Sequence, residues 1–500
     1  MPLAVDAADR MLEALVHPPD WQNPRPQGTY DVVVIGGGTA GLVSAVGAAG
    51  LGARVAIAER QQLGGDCLIT GCVPSKAILR TARALGELRR AGNLGIRATG
   101  VDLNFPEVMT RMRQRRAGLA MNDSAERLRA LGIDVFFGDA SFISPREIAV
   151  GSATLRFIRA VIASGSRPTA PPIDGLSSTT YLTNETIFGL AERPERLLVI
   201  GGGPVGCELS QAFARFGSRV TLFDQAQRLL ANDDADASDL VQRALIRDGV
   251  HLELGTTIRR VVHRNGEAVV QFRRGPDAPL EDVAGDRLLV ATGRTPNVDG
   301  LDLARAGIRA GPRGVVVDDR LRTGNRRVYA AGDVCSRFQF THVADATARI
   351  VIQNALFFGR RKASALTVPW CTYTDPEVAH VGLSAEDAEK RRPAVQTISV
   401  PLSEVDRAVL DDETEGFCRM HHERGRLLGC TIVAAHAGEM IGHVSYAIAR
   451  AATLNDLSST VYPYPTQSEA LRKAGDAYRR TRLTPRLRRA FERYFRVTRW

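Results

Sequence analysis

A short apolar stretch followed at once by three spaced glycines and a helix occurs twice in this chain, and this repeat constrains the fold most strongly. In the first copy, Gly36, Gly38 and Gly41 follow the apolar stretch 30–35. In such a unit the first glycine makes a tight turn, the second lets a pyrophosphate approach the backbone, and the third lets helix and strand pack closely. The phosphates lie at the helix N-terminus. The pattern predicts a dinucleotide-binding unit.

The second copy repeats the arrangement later in the chain. Gly201, Gly203 and Gly206 follow the apolar stretch 196–200 and precede a helical segment. Two glycine-rich turns that hold no ligand are the alternative interpretation. Both copies, however, have the full sequence of strand, turn, helix and second strand. The repeat therefore predicts two dinucleotides with electrons passing between them.

An acidic residue ends the second strand of each copy. Glu59, 23 residues after Gly36, is placed to accept hydrogen bonds from a ribose. Asp224 has the same place in the second copy, where an acid accepts from a 2′-hydroxyl and repels a 2′-phosphate. This favours NADH as the electron donor. NADPH remains the alternative, because Arg228 follows four residues later.

Two cysteines, Cys67 and Cys72, follow the first copy. Residues five apart in a regular helix are separated by about 7.5 Å in rise, whereas a disulfide needs Cα atoms roughly 4.4–6.8 Å apart. A disulfide therefore needs a distorted segment, and the adjacent Gly65 and Gly71 permit one. A helix predicted to start near Pro74 would favour a thiolate nearby. We predict a redox-active pair.

Zinc binding and a structural disulfide are the alternatives for this pair. Zinc would need two further ligands at short spacing, and the next histidine or cysteine after Cys72 is Cys207. Seven cysteines in 500 residues are too few for a disulfide framework, and their number is odd. In a reducing compartment, closely spaced cysteines are more often catalytic or metal-binding. The sequence predicts no resident metal site.

The net charge of +10 is concentrated at the C-terminus. Residues 479–500 contain nine arginines and one glutamate, so the tail carries +8 and the rest +2. Nucleic-acid binding is not expected, because the remaining chain has no basic surface pattern. Apolar residues at helical spacing predict a basic amphipathic helix. Residues 486–500 would lie on an anionic membrane surface or, alternatively, pack on the enzyme body.

No apolar run approaches the roughly 20 residues that a membrane-spanning helix needs. The first 20 residues lack the basic start and apolar core of a secretory signal. We therefore expect a cytoplasmic protein, with the tail as a candidate for peripheral contact at the inner membrane face.

The segment from Cys67 to Lys76 resembles the active-site disulfide of the pyridine nucleotide-disulfide oxidoreductases, which include dihydrolipoamide dehydrogenase, glutathione reductase and mercuric reductase. The resemblance covers about residues 30 to 475. It implies that Cys67 exchanges with substrate and that Cys72 faces the flavin. It also implies that Lys76 lies near flavin N5, with Glu208 as its carboxylate partner near the nicotinamide.

Two further segments are similar to motifs of this family. Residues 291–297 look like the segment that closes the nicotinamide domain, which places Gly293 at a cofactor. Residues 328–333 look like the second FAD motif, with Asp333 on the ribityl chain. The resemblance also places Gly65 at the FAD.

The resemblance implies FAD and NADH as cofactors, a homodimer, and a small-molecule or metal-ion acceptor. The implied fold class is α/β, with two Rossmann-type domains for FAD and NAD(P) and a C-terminal α+β dimerisation domain. The predicted organisation is an N-terminal extension (1–29), an FAD domain (30–180 and 300–365), an NAD(P) domain (181–299), a dimerisation domain (366–478) and the basic tail (479–500).

One departure bears on the acceptor. Disulfide reductases of the family have a histidine base near the C-terminus, and Tyr464 stands at that place here, five residues before Glu469. A phenol of pKa about 10 is a poor base near neutral pH, whereas imidazole near 6.5 is a good one. The family implies that Tyr464 and Glu469 complete the partner subunit's site.

A tyrosine at this place resembles mercuric reductases, in which thiolates hold a soft metal. Those enzymes also have a C-terminal cysteine pair, whereas the last cysteine here is Cys430. The predicted function is transfer of electrons from NAD(P)H through FAD and Cys67–Cys72 to an acceptor, as in mercuric reductases. The alternatives are a dihydrolipoamide dehydrogenase-like disulfide reductase, a low-turnover redox sensor and a membrane-associated electron-transfer protein.

Overall fold

The computed structural model describes residues 6–97 and 99–499, and the chain forms two compact units. The helices are α1 (Ala7–Val16), α2 (Thr39–Gly50), α3 (Gly65–Ile69), α4 (Cys72–Arg90), α5 (Phe105–Ala120), α6 (Ala125–Ala130), α7 (Pro204–Arg215), α8 (Ala235–Arg247), α9 (Thr341–Leu356), α10 (Ala385–Lys390), α11 (Asp406–Leu410), α12 (Ala437–Ala449), α13 (Leu454–Ser459), α14 (Glu469–Arg482) and α15 (Pro485–Val497).

The strands of the first unit are β1 (Thr29–Ile35), β2 (Val55–Glu59), β3 (Ile133–Phe137), β4 (Ala140–Ser144), β5 (Glu147–Val150), β6 (Ala153–Ile162), β7 (Ser166–Pro168), β8 (Arg196–Ile200), β9 (Arg219–Asp224), β10 (Val250–Leu254), β11 (Thr257–Arg264), β12 (Glu267–Arg273), β13 (Glu281–Gly285), β14 (Arg287–Val290), β15 (Arg294–Pro296), β16 (Ala310–Gly311), β17 (Gly314–Val315) and β18 (Val328–Ala330). Those of the second unit are β19 (Pro369–Thr372), β20 (Glu377–Gly382), β21 (Gln396–Pro401), β22 (Phe417–Glu423) and β23 (Arg426–Ala434).

The first unit consists of residues 1–92, 97–225 and 249–366 and contains both glycine motifs. Its larger sheet has the strand order β3-β2-β1-β6-β5-β4, and β18 pairs with β6. β1 runs parallel to both β2 and β6. Parallel strands are covered on both faces and therefore read as continuous apolar runs, as 32–35 does here. This sheet carries the first motif between β1 and α2.

The second motif lies on a smaller parallel sheet of the same unit. The strand order is β10-β9-β8-β14, and all neighbours are parallel. The sheet packs against β12, where Phe223 and Phe272 meet with ring centroids 5.0 Å apart. The motif follows β8 and leads into α7, which gives it the same strand-to-helix setting as the first.

The second unit consists of residues 93–96, 226–248 and 367–500. Its antiparallel sheet has the order β19-β20-β23-β22-β21, and α12, α13 and α14 contribute to its apolar core. The predicted α/β class with an α+β C-terminal part is confirmed. Helix α8, which falls within the predicted 181–299 range, belongs to this unit.

The histidines of β22 are buried in the second unit. His421 Nδ1 forms a hydrogen bond with Thr397 Oγ1 over 2.9 Å. Burial lowers the pKa of His421 to about 4. His422 packs edge-on against Tyr478. Cys418 is also fully buried in this strand. Among the described residues, no cluster of three or more ligating side chains could hold a metal ion.

Of the helices in the described part of the chain, none combines the length and the apolar character needed to cross a bilayer. The longest, α4, has 19 residues and contains several arginines. The tail forms α15, separated from α14 by Leu483 and Thr484.

Candidate active site

The first glycine turn leaves no room for side chains at two of its positions. Gly36 has φ +103°, and a Cβ there would lie 2.3 Å from the carbonyl oxygen of Ala163. A Cβ on Gly41 would lie 1.8 Å from the Gly36 oxygen. Gly38, in extended conformation, is the N-cap of α2. The backbone at the start of this helix is therefore bare, which fits a pyrophosphate at the helix N-terminus.

Glu59 closes this turn from the end of β2. Its Oε2 accepts a hydrogen bond from Gly37 N over 2.6 Å, and its Oε1 accepts one from Gln61 N over 2.8 Å. Burial raises the pKa of Glu59. Each carboxylate oxygen has a second lone pair, so the group can also accept from a ribose hydroxyl.

The second turn repeats this geometry at the end of β8. Gly201 has φ +114°, and a Cβ there would lie 2.5 Å from the Ala291 oxygen. A Cβ on Gly206 would again lie 1.8 Å from the oxygen of the first glycine. Asp224 Oδ2 accepts from Gly202 N over 2.5 Å, as Glu59 does in the first turn. Gly203 is the N-cap of α7.

The cysteine pair spans a break between two helices. Cys67 lies in α3, and Cys72 is the first residue of α4, two residues earlier than the predicted start near Pro74. Gly71 precedes α4 with φ −124° and ψ −115°, and a Cβ there would lie 2.8 Å from the Asp66 oxygen. This kink is the distorted segment that the spacing predicts. Both cysteines are thiols here, Cys67 half-buried and Cys72 exposed.

The two thiols are not equivalent. A hydrogen bond from Cys67 lowers the pKa of Cys72 to about 6. Partial desolvation of the Cys72 sulfur by the surrounding protein opposes this shift, whereas the hydrogen bond with Thr341 and the charge of Lys76 support it. The Sγ of Cys72 lies 3.5 Å from Thr341 Oγ1. The same hydrogen bond, together with burial, raises the pKa of Cys67. At neutral pH the dithiol therefore consists of a Cys72 thiolate and a Cys67 thiol, and the N-terminus of α4 favours this charge.

Lys76 lies one turn after Cys72 and pairs with Glu208 of α7. The distance from Lys76 Nζ to Glu208 Oε2 is 2.8 Å, and the carboxylate is almost fully buried. The structure thus brings together the two residues that the resemblance pairs. A buried carboxylate that loses its cation is costly, so this pair fixes the cysteine helix against the second glycine helix.

A second contact joins α4 to α7 further along. Arg215 is buried, and a Cβ on Gly86 would lie 2.6 Å from its Cζ. Arg89 also donates to the Arg215 carbonyl over 2.9 Å. One long helix therefore carries Cys72 at one end and contacts α7, the helix after the second glycine turn, at Lys76, Gly86 and Arg89.

Asp333 and Gly293 lie in the same unit as the cysteines. Asp333 Oδ2 accepts from Ser166 Oγ over 2.7 Å, and burial raises the pKa of Asp333. Gly293 has φ +131°, with no atom within 4 Å of a Cβ placed there. The next residue, Arg294, lies 3.1 Å from Asp66 Oδ2, beside Cys67. The sequence did not single out Ser166, Arg294 or Thr341, although Arg294 directly follows a predicted site glycine.

The N-terminal extension supports the cysteine segment, a role that the sequence did not predict. Arg116 of α5 donates to the Ile69 carbonyl over 2.8 Å, between the two cysteines, and to Asp9 Oδ1 of α1 over 2.7 Å. Leu63 N donates to the Val16 carbonyl over 3.1 Å. Helix α1 is therefore part of the first unit's packing rather than an appendage.

Tyr464 and Glu469 lie in the second unit. The Tyr464 hydroxyl donates to Asp406 Oδ2 over 2.9 Å, and this bond to a carboxylate raises the pKa of Tyr464. Its side chain is exposed. Glu469, the first residue of α14, is buried and pairs with Arg472. Gln467 between them donates to Glu413.

Comparison with known protein families accounts for most of the chain. Residues 30–348 match the family model described as pyridine nucleotide-disulphide oxidoreductase, and residues 368–475 match the dimerisation domain of the same family. The chain belongs to this family. The predicted family is thus confirmed, and with it FAD and NAD(P)H as cofactors. The match to the dimerisation domain supports a homodimer.

Individual relatives include enzymes with different acceptors. The chain is 37% identical to a mercuric reductase of Streptomyces lividans, over 90% of this chain and 96% of that protein. It is 34% identical to a dihydrolipoyl dehydrogenase of Thermus scotoductus, over 90% and 97%. Among solved structures, it is similar to the Cu(II) complex of the HOCl-induced flavoprotein disulfide reductase RclA from Escherichia coli, with a TM-score of 0.80, 28% identity, and coverage of 90% and 100%. The chain is therefore a flavoprotein oxidoreductase.

Proposed function

We propose that this enzyme transfers two electrons from NAD(P)H, through FAD, to a soft metal ion held by the Cys67–Cys72 pair, as mercuric reductases do. The observation that carries the proposal is Tyr464. A histidine base takes a proton during thiol–disulfide interchange in the disulfide reductases, and a phenol stands at that place. The hydroxyl of Tyr464 donates to Asp406, which raises its pKa further. The residue therefore stays protonated at neutral pH and cannot act as the base.

The state of the cysteines supports a metal acceptor. Thiolates are the ligands that soft metal ions prefer. The Cys72 thiolate provides one such ligand at neutral pH, and Cys67 releases its proton when it binds the metal. While both sulfurs hold a divalent ion such as Hg(II), two electrons that NAD(P)H supplies by way of FAD reduce it to the metal. The sulfurs are not oxidised in this step, and once the metal leaves, Cys67 takes up a proton again. No base on the protein is needed for that reduction.

Both cofactors have fitting sites in the first unit. FAD and NAD(P)H supply the two-electron redox chemistry when bound. We assign the turn of Gly36, Gly38 and Gly41, with Glu59 at its edge, to FAD. Gly65 and Asp333 contact the same cofactor in this assignment.

The second turn, with Gly201, Gly203 and Gly206, is assigned to the nicotinamide dinucleotide, and Gly293 lies beside it. Asp224 favours NADH because a 2′-phosphate would face its carboxylate. Lys76 and Glu208 hold the cysteine helix between the two sites, and Lys76 also stabilises the Cys72 thiolate by its charge. Tyr464 and Glu469 of one subunit complete the acceptor site of the other.

Delivery of the metal differs from that in mercuric reductases with a C-terminal cysteine pair. The last cysteine of this chain, Cys430, is fully buried in β23. Residues 431–500 contain no cysteine, so we infer that no thiol of this segment passes the metal to Cys67. This favours an acceptor that arrives as a small complex from solution.

Disulfide reduction is the second candidate, favoured by the identity to dihydrolipoyl dehydrogenase over nine-tenths of the chain. The two candidates differ in what Tyr464 must do. A disulfide substrate needs a proton shuttle at this position, whereas a metal ion does not.

The deciding experiment measures NADH oxidation by the FAD-loaded protein with Hg(II), Cu(II), lipoamide and glutathione disulfide. We expect turnover with a metal ion, lost in Cys67→Ser and Cys72→Ser, and slow turnover with both disulfides. Tyr464→His should raise disulfide turnover by part of the ~10²–10⁴-fold that acid–base catalysis provides. Tyr462→Phe is the matched control, since the buried Tyr462 hydroxyl has no hydrogen-bond partner among the residues that the structure describes. Fast lipoamide turnover by the wild type, without metal turnover, would establish the second candidate instead.

A further inference from the structure

Helix α15 is exposed along its whole length. It begins at Pro485, and Thr484 caps it through a hydrogen bond from Leu487 N to Thr484 Oγ1 of 3.3 Å. Every residue from 479, near the end of α14, to 499 is exposed. The earlier part of α14, by contrast, has an inner face that is buried in the second unit. No residue of the helix is buried against the described part of the chain, although its sequence forms a complete, capped helix.

The side chains of α15 divide into two faces. Successive residues of a helix are turned by roughly 100°. This places the apolar side chains on one half of the helix and the charged ones on the other. The apolar face contains Leu487, Ala490, Phe491, Tyr494, Phe495 and Val497, and the charged face contains Arg486, Arg488, Arg489, Glu492, Arg493 and Arg496.

The apolar face is large for an exposed surface. The exposed fractions are 46% for Phe491, 61% for Tyr494 and 53% for Phe495. Leu487 and Val497 extend the same face in both directions. Contiguous apolar surface of this kind marks an interaction site.

The charged face is almost entirely positive. Residues 485–499 contain six arginines and one glutamate, a net charge of +5. Glu492 pairs with Arg488 over 3.4 Å, and Arg489 donates to the Pro485 carbonyl. The remaining guanidinium groups point into solvent on a helix whose other face is aromatic.

We propose that α15 binds the surface of a membrane that contains anionic lipids. A helix with a basic polar face and an apolar face of Phe, Tyr and Leu lies in the plane of the interface, with its apolar side chains among the acyl chains and its arginines at the headgroups. Its 13 residues span only about 20 Å, too short to cross the roughly 30 Å hydrocarbon core. The contact is therefore peripheral.

Charge complementarity distinguishes this partner from the others. A second copy of the chain could cover the apolar face, but its own tail carries the same positive charge. A nucleic acid would complement the arginines and leave the aromatic side chains exposed. An anionic bilayer satisfies both faces at once.

The test is flotation of the full-length, FAD-loaded protein with two kinds of vesicle, one of phosphatidylcholine and one of equal parts phosphatidylcholine and phosphatidylglycerol. We expect binding to the anionic vesicles, weakened by salt. Phe491→Ser/Phe495→Ser and Arg489→Glu/Arg493→Glu should each weaken this binding by at least about tenfold. The matched control is Arg309→Glu/Arg313→Glu, which makes the same charge change at two exposed arginines beside β16 and β17. It should bind like the wild type.

Three results would overturn the proposal. One is absence of wild-type binding to anionic vesicles, and another is equal loss of binding in the Arg309/Arg313 control. The third is a change from dimer to monomer in either α15 variant, measured by light scattering, because it would identify α15 as a contact between subunits. Flavin reduction by NADH should be unchanged in all variants, which shows that they are folded.

Discussion

The two glycine turns of the first unit have nearly the same geometry and very different surroundings. In both, a Cβ on the third glycine would lie 1.8 Å from the oxygen of the first. In both, an acid at the end of the second strand accepts from the glycine between the first two motif positions. The same backbone geometry, of the kind that binds a dinucleotide, therefore occurs at both turns.

The surroundings differ at the middle glycine of each motif. A Cβ on Gly38 would lie 3.6 Å from Gly65 Cα, at the start of the cysteine segment, whereas no atom lies within 4 Å of one on Gly203. The segment that begins at Leu63 is in turn tied to Val16 of α1. In the proposed function, the chemistry is assigned to the cysteine segment, which lies against the first turn, and dinucleotide binding is assigned to the two turns. Four predictions test this division, from the largest expected effect to the smallest.

The first compares Gly41→Ala with Gly206→Ala. Each methyl group would meet a carbonyl oxygen, and insertion into a packed site costs about 1–3 kcal/mol, occasionally more, which is roughly 5- to 150-fold in binding. We expect Gly41→Ala to lose FAD during purification. Gly206→Ala should retain FAD and require roughly 5- to 150-fold more NADH for flavin reduction. Gly47→Ala is the control in α2, because no atom lies within 4 Å of a Cβ there. Loss of FAD in Gly206→Ala would show that the turns are not independent.

The second concerns Asp9→Asn, which removes the anionic partner of Arg116 and leaves that guanidinium mostly buried. Breaking a buried pair by removing one partner costs up to about 3–5 kcal/mol, and since Asp9 is partly exposed we expect roughly 1–3 kcal/mol in the free energy of unfolding. Denaturant unfolding of the FAD-loaded protein measures it. Glu13→Gln, exposed on the same helix, should change stability by less than about 0.5 kcal/mol. Equal changes in the free energy of unfolding for the two variants would show that the contact of α1 with Arg116 does not stabilise the cysteine segment.

The third uses pH to separate the two cysteines. The pKa of Cys72 is about 6 in the dithiol form, below the ordinary value of about 8.5 for a thiol. Folding therefore favours the thiolate, and this stabilisation is present at high pH and lost as pH falls through about 6. In the protein reduced anaerobically by NADH, the thiolate–flavin charge-transfer absorbance should fall about tenfold for each pH unit below that value. Cys72→Ser should lack the band at every pH. If the charge-transfer band persists unchanged at pH 4, a group other than the Cys72 thiolate causes it.

The fourth exchanges the acid of the second turn. Wild-type kcat/KM should be higher with NADH than with NADPH, because Asp224 would face the 2′-phosphate. Asp224→Arg should lower the ratio of kcat/KM with NADH to kcat/KM with NADPH by about tenfold, which narrows or inverts the preference. The amount of bound FAD should stay the same. A wild-type preference for NADPH would instead make Arg228 the residue that selects the dinucleotide.

Local patterns were sufficient to predict the two turns, their acids and the cysteine pair. Each of these features depends on residues close together in sequence, such as Gly36 with Gly41 or Cys67 with Cys72. The short spacing leaves one local backbone geometry that fits the pattern. The packing of α1 was not predictable in this way. It depends on Arg116 contacting both Asp9 and Ile69, and no local spacing encodes contacts of 107 and 47 residues in separation.

Thr341 shows the same limit. It begins α9 and reaches Cys72 from 269 residues away. A threonine at a helix start is ordinary, so nothing in the sequence marks this one. The roles proposed for Tyr464 and Glu469 involve a second subunit, and for them the family resemblance was the only guide.

The contacts between α4 and α7 have a consequence for how such chains can be recombined. Lys76 pairs with Glu208, and Arg215 needs the space that Gly86 leaves, so the residues of the two helices have to match each other. A chimera that takes its nicotinamide-binding half from a relative should work only if these four positions come from the same parent. Although the chain contains two similar glycine-motif halves, they are not interchangeable modules, because the residues of α4 and α7 at their boundary are complementary.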